Sequence, residues 1–197
     1  MPDSKSLPLV LGSSSPFRRE ILQKLGLPFI TASPDIDETA LDNEPPQALV
    51  LRLAEQKAQA VAVEYPHHLI IGSDQLAVVN DTVLGKPFDH DNAVKQLRQT
   101  SGQTVHFYTG LCLLNSQSGN MQSEVVPFDV VFRELSDSEI ENYLQAEKPY
   151  HCAGSFKSEG LGIALFEKLV GDDPNTLIGL PLIRLIQMLK NEHVSVI

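Results

Sequence analysis

Tryptophan is absent from this chain of 197 residues, aromatic residues make up 6%, and cysteine occurs twice. Cys112 and Cys152 lie far apart and lack the close spacing of a zinc site. A disulfide framework is therefore excluded and a reducing compartment is the expectation. Cationic side chains are also scarce, 15 against 25 acidic ones, for a net charge of -10. Such a balance excludes broad binding to nucleic acid or to an anionic membrane surface. A phosphate-binding site would have to be a local basic pocket in an acidic protein. No apolar run reaches the length of a membrane span, and the polar start, with Asp3 and Lys5, does not read as a signal peptide. The expectation is a cytoplasmic, soluble protein. Also missing are a Walker A loop, a Gly-x-Ser-x-Gly elbow and a His-x-x-x-His pair. His67 and His68 merely follow Pro66.

What is present suffices for a folded core: 42% of residues are hydrophobic and 20% charged. Val10 to Gly12 reads as a buried strand, Pro16 to Leu25 as a helix stopped by Gly26, and Phe29 to Ala32 as a second strand. Pro34 to Pro46 is an acidic, turn-rich loop. Gln47 to Tyr65 is the clearest helix, with Leu49, Leu53, Ala54, Ala58 and Val61 on one face. Leu69 to Ile71 reads as a strand, and Asn80-Asp81 as a hairpin turn between two more. Asp91 to Leu97 predicts a short helix. Val105 to Leu114 and Glu124 to Phe132 predict a long antiparallel pair around the turn at Ser116 to Asn120. Ser136 to Glu139 is a capping box before a helix to about Ala146. A glycine-rich loop, Gly154 to Gly162, precedes a strand over Ile163 to Val170 and a helix over Pro181 to Leu189. The fold class expected is α/β: a mixed twisted sheet with a long antiparallel strand pair, helices on both sides, and one domain whose two lobes flank a cleft.

Five segments carry candidate chemistry. Ser13, Ser14 and Ser15 lead through Pro16 into a helix whose first turns hold Phe17, Arg18 and Arg19. Helix-start N–H groups, the helix dipole and guanidinium forks together suit a polyphosphate. A plain N-cap with solvated arginines also accounts for the segment. Gly72-Ser73-Asp74-Gln75 follows a strand, and carboxyl ends of strands are where α/β sheets gather ligands. Asp74 there suits a Mg²⁺ ion or a water, or a turn that satisfies nearby amides. Gly85-Lys86-Pro87 fixes one lysine for a phosphate contact, or is a surface turn. Asp35, Asp37 and Glu38 offer a divalent cation ligand, or a solvated acidic loop. Ala153 to Gly162 carries Glu159 between residues that allow close backbone approach. Lys57, on the long helix, reads by itself as solvated.

Together these segments resemble the Maf family of nucleoside triphosphate pyrophosphatases over nearly the whole chain. The landmarks are Ser13 to Arg19, Asp37-Glu38, Lys57-Ala58, Gly72 to Gln75, Gly85 to Pro87, Phe107 to Gly110, Ala153 to Lys157, Asp173 to Asn175 and Gly179 to Pro181. The resemblance implies a cytoplasmic enzyme that cleaves a nucleotide to monophosphate and pyrophosphate with a divalent cation, Mg²⁺ or Mn²⁺. It implies Asp74 as the catalytic acid/base carboxylate. It implies Ser13, Arg18, Arg19, Lys57 and Lys86 as phosphate-binding residues, and Glu38 with Asp74 as metal-associated ones. A homodimer is a further expectation, and a small-molecule nucleotide the expected partner.

Three positions depart from the commonest family pattern: Phe17 for Arg, Gln75 for Thr and Glu159 for Gln. These match the YceF-like subfamily acting on 7-methyl-GTP, except that the subfamily carries Trp where this chain has Phe17. The chemistry is consistent. Phe17 would stack on the cationic methylated base, an interaction of roughly 0.5–2 kcal/mol. Glu159 would accept hydrogen bonds from the guanine N1–H and exocyclic amine, with charge complementing the base. The alternatives are the same reaction on dTTP, UTP or another purine, and a nucleotide-binding regulator of septum formation that catalyses nothing.

Overall fold

The computed structural model describes residues 7–197. In chain order the elements are β1 (Leu9–Gly12), α1 (Pro16–Gln23), β2 (Phe29–Ala32), α2 (Pro46–Ala62), β3 (Leu69–Val79), β4 (Thr82–Leu84), α3 (His90–Thr100), β5 (Thr104–Asn115), β6 (Met121–Phe132), α4 (Asp137–Glu147), β7 (Phe166–Val170), α5 (Pro174–Ile178) and α6 (Leu182–Asn191). The sheet has seven strands in the order β2-β1-β3-β5-β6-β7, with β4 paired to β3. β1 runs parallel to both β2 and β3, whereas β4 and β7 run antiparallel to their partners. The mixed α/β sheet expected from the sequence is the one observed. Among the described residues no helix is long and apolar enough to cross a membrane.

Two compact units divide the chain. Among the described residues, one comprises 7–75, 109–126 and 173–197, the other 76–108 and 127–172. In the first, the strands are apolar on both faces because both faces are covered. Leu9, Leu11, Leu69, Ile71, Leu111 and Leu113 point to one side, onto Ile21 and Leu22 of α1 and Leu182, Leu185 and Leu189 of α6. Val10, Ile70, Cys112 and Leu114 point to the other, onto Ala54, Ala58 and Val61 of α2. Near-continuous apolar runs are the sequence signature of that arrangement.

The second unit is built around β4, α3, α4 and β7. Phe107, Phe132, Phe156 and Phe166 meet edge to face there, with ring centroids 5.0–5.6 Å apart. The expected capping box is present: the Ser136 hydroxyl accepts from Glu139 N–H, and the Glu139 carboxylate accepts from Ser136 N–H. Asn80 and Asp81 both take positive φ, 46° and 62°, as the tight β3–β4 turn demands.

Three expectations need correction. Gly72 to Gln75 is not a turn after a strand but the interior of β3. Gly72 is there because α2 lies against it: an added Cβ would overlap the Ala54 carbonyl oxygen. A glycine inside a strand often marks such a close backbone approach. Gly110 serves α2 in the same way against the Val50 carbonyl. Second, residues 161–165 form a 3₁₀ turn, and β7 begins only at Phe166. Third, α5 was not foreseen. Asp173 caps it by accepting from Asn175 N–H at 2.8 Å, and Pro174 sits in its first turn.

Candidate active site

Ser13 to Arg19 leave the carboxyl end of β1 and enter α1. The Ser13 hydroxyl accepts from Ser15 N–H at 3.1 Å, and Ser15 is the N-cap, accepting from Arg18 N–H at 3.4 Å. Pro16 falls at the helix start, where its missing N–H costs nothing. The two arginines then diverge. Arg18 turns back toward the chain's later part and donates through Nε to the Gly179 carbonyl at 2.8 Å. The Ser73 hydroxyl donates to the same carbonyl at 3.0 Å. Arg19 instead lines an open groove of about 520 Å³ with Gln23, Leu27, Phe29 and Thr31. Phe17 is 37% exposed.

α2 and β3 supply the centre. Because Gly72 lets α2 settle onto β3, Lys57 meets Asp74 at 2.6 Å. Both residues are buried, at 6% and 9% exposure. Lys57 Nζ also contacts Glu38 at 2.8 Å, from the acidic segment before α2. One ammonium thus bridges two carboxylates. Burial pushes the Arg18 guanidinium below its ordinary range, while the nearby charges of Asp74 and then Glu38 oppose that shift. Arg18, Glu38, Lys57 and Asp74 therefore form one electrostatic group. A buried ion pair adds little net stability relative to apolar residues of equal volume. Charged groups at such a cost point to chemistry.

Gln75 is committed to structure through its amide. Nε2 donates to Thr109 Oγ1 at 2.9 Å and to the Thr176 carbonyl at 2.7 Å, and the Thr109 hydroxyl donates to that carbonyl at 3.2 Å. Its Oε1 and Arg18 Nε both lie close to Gly179, where an added Cβ would sit 3.7 Å from the first and 3.3 Å from the second.

Two sequence-predicted residues belong to the second unit. Lys86 is exposed in the turn after β4, where the Gly85 carbonyl accepts from Gly154 N–H at 3.3 Å and from Gln96 Nε2 at 3.0 Å. Glu159 is exposed on the glycine-rich loop. That loop is fastened by Tyr143, whose hydroxyl accepts from Lys157 N–H at 3.1 Å, and by Glu147, which accepts from Leu161 N–H at 2.9 Å. Lys86, Lys157 and Glu159 all act electrostatically on Cys152, whose thiol is pushed up mainly by burial.

Sequence reasoning named Ser73, Thr109 and Gly179 within landmark segments without giving them a role, and missed Thr176. The Gly179 and Thr176 carbonyls hold Arg18 and Gln75, and a carbonyl carries no residue-type signal. Asp173 was recoverable: Asp-Pro at a helix start is an N-cap pattern. Its second oxygen accepts from Ile183 N–H at 2.8 Å, joining α5 to α6.

The buried lysine–aspartate pair thus joins a helix to a strand of a mixed α/β sheet. Residues 8–192 match the family described as Maf-like protein, and this chain belongs to that family. A protein of Colwellia psychrerythraea named 7-methyl-GTP pyrophosphatase is 60% identical over 189 residues, covering 96% of this chain and 94% of its own length. A protein of the same name from Nitrosococcus oceani is 59% identical over 182 residues, covering 92% of each.

The family resemblance implies a divalent cation. Among the described residues no group of three or more His, Cys, Asp or Glu side chains could hold one unaided. Glu38 and Asp74 do fit an ion that shares its coordination with a phosphate. Both are hard oxygen donors, both reach the Lys57 ammonium, at 2.8 and 2.6 Å, and so lie beside one another, and Mg²⁺ commonly takes one or two carboxylates plus substrate oxygens.

Proposed function

We propose that this protein hydrolyses 7-methyl-GTP, with one water, to 7-methyl-GMP and pyrophosphate. The observation that carries the reading is the buried Lys57–Asp74 pair with Glu38 and Arg18 around it. The two relatives of that name, each aligned over more than nine-tenths of this chain, support the substrate. Asp74 orients and deprotonates the attacking water, the role its fixed carboxylate suits. Lys57 and Arg18 offset phosphate charge as it moves toward the leaving pyrophosphate. Ser13 adds a phosphate contact from the loop before α1, and Arg19, which lines a separate groove, enters the reading by its charge alone. Glu38 and Asp74 are the residues that would hold Mg²⁺ or Mn²⁺. Such an ion, when bound, supplies further charge neutralisation on the phosphates.

Phe17 offers its exposed ring to the methylated base. Gln75 fixes the shape of the site through its ties to Thr109 and Thr176. Lys86 and Glu159 enter the reading by their chemistry alone: a cation for phosphate, and an acceptor for the guanine N1–H and amine. The free thiols Cys112 and Cys152 suit a reducing cytoplasm.

A nucleotide panel scored by pyrophosphate release, with and without added divalent cation, tests the proposal. Highest kcat/KM on 7-methyl-GTP is expected. Glu159→Gln should narrow its margin over GTP by at least tenfold. A preference for dTTP or UTP would overturn the substrate assignment, and absence of pyrophosphate release from every nucleotide would overturn the reaction.

A further inference from the structure

Glu38 stands in a segment, residues 33–45, that contains neither helix nor strand. Its side chain is 58% exposed, and Lys57 is its only ion-pair partner among the described residues. An exposed carboxylate on irregular chain needs something to hold it at the site. One turn and a half earlier on the helix that carries Lys57 lies Arg52. Its guanidinium grips Glu44 with both prongs: Nε donates to Oε1 and one terminal nitrogen to Oε2, each at 2.7 Å. That terminal nitrogen also donates to the Thr39 carbonyl at 3.1 Å, and the other donates to Gln56 Oε1 at 3.0 Å. Gln56 immediately precedes Lys57, so the fork is braced against the same helix.

The segment is tied internally to these two anchor points. Leu41 N–H donates to Glu44 Oε2 at 3.0 Å, and Thr39 N–H donates to Asp37 Oδ1 at 2.9 Å. Arg52 therefore grips the chain one residue after Glu38, at Thr39, and again at Glu44. A bidentate guanidinium–carboxylate pair is the strong and directional form of ion pair. The Glu44 side chain is only 7% exposed, so this pair is less screened than an ordinary surface one.

We propose that Arg52, with Glu44, is a positioning residue for catalysis: a clasp that holds the acidic segment on α2 so that Glu38 meets Lys57 and Asp74. The inference rests on the proposed role of Glu38 and goes beyond it by assigning what places that residue. Arg52 itself touches no reacting group.

A double-mutant cycle decides the matter, with Mg²⁺ and 7-methyl-GTP as the probes. Glu38→Gln is expected to lower kcat/KM at least tenfold and to raise the Mg²⁺ concentration for half-maximal activity. Arg52→Ala should do the same with kcat/KM down five- to tenfold. In the Glu38→Gln background, Arg52→Ala should add less than twofold, because its effect travels through Glu38. Hydrogen exchange of the nucleotide-free protein supplies a second readout: the Thr39 and Leu41 amides should exchange at least tenfold faster in Arg52→Ala. Glu44→Gln, milder and certain to spare the helix face, should shift each measurement in the same direction. A Glu38→Gln defect without an Arg52→Ala or Glu44→Gln defect overturns the clasp alone. A full Arg52→Ala penalty persisting in the Glu38→Gln background also overturns it. A silent Glu38→Gln overturns the reading of Glu38 and the clasp with it.

Discussion

Asp74 and Lys57, the pair at the centre of the proposed mechanism, meet in one salt bridge, 2.6 Å long and buried. Asp74→Asn is expected to lower kcat by at least 100-fold, the range for loss of a positioned acid/base group. It also strips Lys57 of its buried partner, leaving only Glu38 at 2.8 Å. A loss of about 1–3 kcal/mol of stability should accompany the lost activity, less than the roughly 3–5 kcal/mol of a wholly uncompensated buried charge. Steady-state kinetics and urea unfolding on the same sample separate the two effects. Near-wild-type turnover in that variant would remove Asp74 from the mechanism. The pairing itself was not legible: a lysine on a helix reads as solvated until the helix is known to lie against a strand.

Helix α2 and the glycines beneath it decide where that lysine goes. Gly72 and Gly110 each face a carbonyl of α2 so closely that a Cβ has no room. The obstacle is backbone, so it cannot swing aside. Gly72→Ala should lift α2 off β3 and part Lys57 from Asp74. A destabilisation of about 1–3 kcal/mol is expected from overpacking, measured as a lower urea midpoint at unchanged slope. Activity should fall more than the same loss of stability at a remote site would cause. An unaltered midpoint would show that α2 yields without cost. The apolar stripe of α2 was readable from Leu53, Ala54, Ala58 and Val61, which are all buried. The strand through Asp74 was misread because glycine and serine in sequence look like a turn, whereas here their smallness admits a helix.

At the scale of the whole molecule, acid is the informative perturbation, because each unit carries carboxyls held in their charged form, Glu44 in one and Glu139 in the other the most strongly. Hydrogen bonds from Arg52 and from Leu41 N–H hold Glu44 down at about 2, from an ordinary 4.5. Hydrogen bonds from Ser136 N–H and hydroxyl, then from Arg133, hold Glu139 down at about 2 as well. A depressed folded-state value means that the unfolded chain takes up protons first as pH falls. The stabilisation is complete above about 4.5 and disappears as pH drops toward about 2. Urea midpoints followed across that window should fall for the native protein and fall less steeply for Glu44→Gln and Glu139→Gln. A slope unchanged by both substitutions would place the acid sensitivity elsewhere.

The amino-acid sequence by itself determined most element types and the sheet class, since apolar runs, Asn80-Asp81, the Ser136 capping box and Pro16 act within a few residues of where they stand. It also marked Asp74, Arg18 and Glu38 as chemical candidates. Only the tertiary structure decided which of them share one electrostatic group, because Arg18, Glu38, Lys57 and Asp74 are brought together by helix-on-strand packing and by carbonyls such as that of Gly179. A carbonyl is the same at every residue, and a contact distance between elements depends on atoms far apart in the chain, so neither leaves a local trace that a sequence can carry.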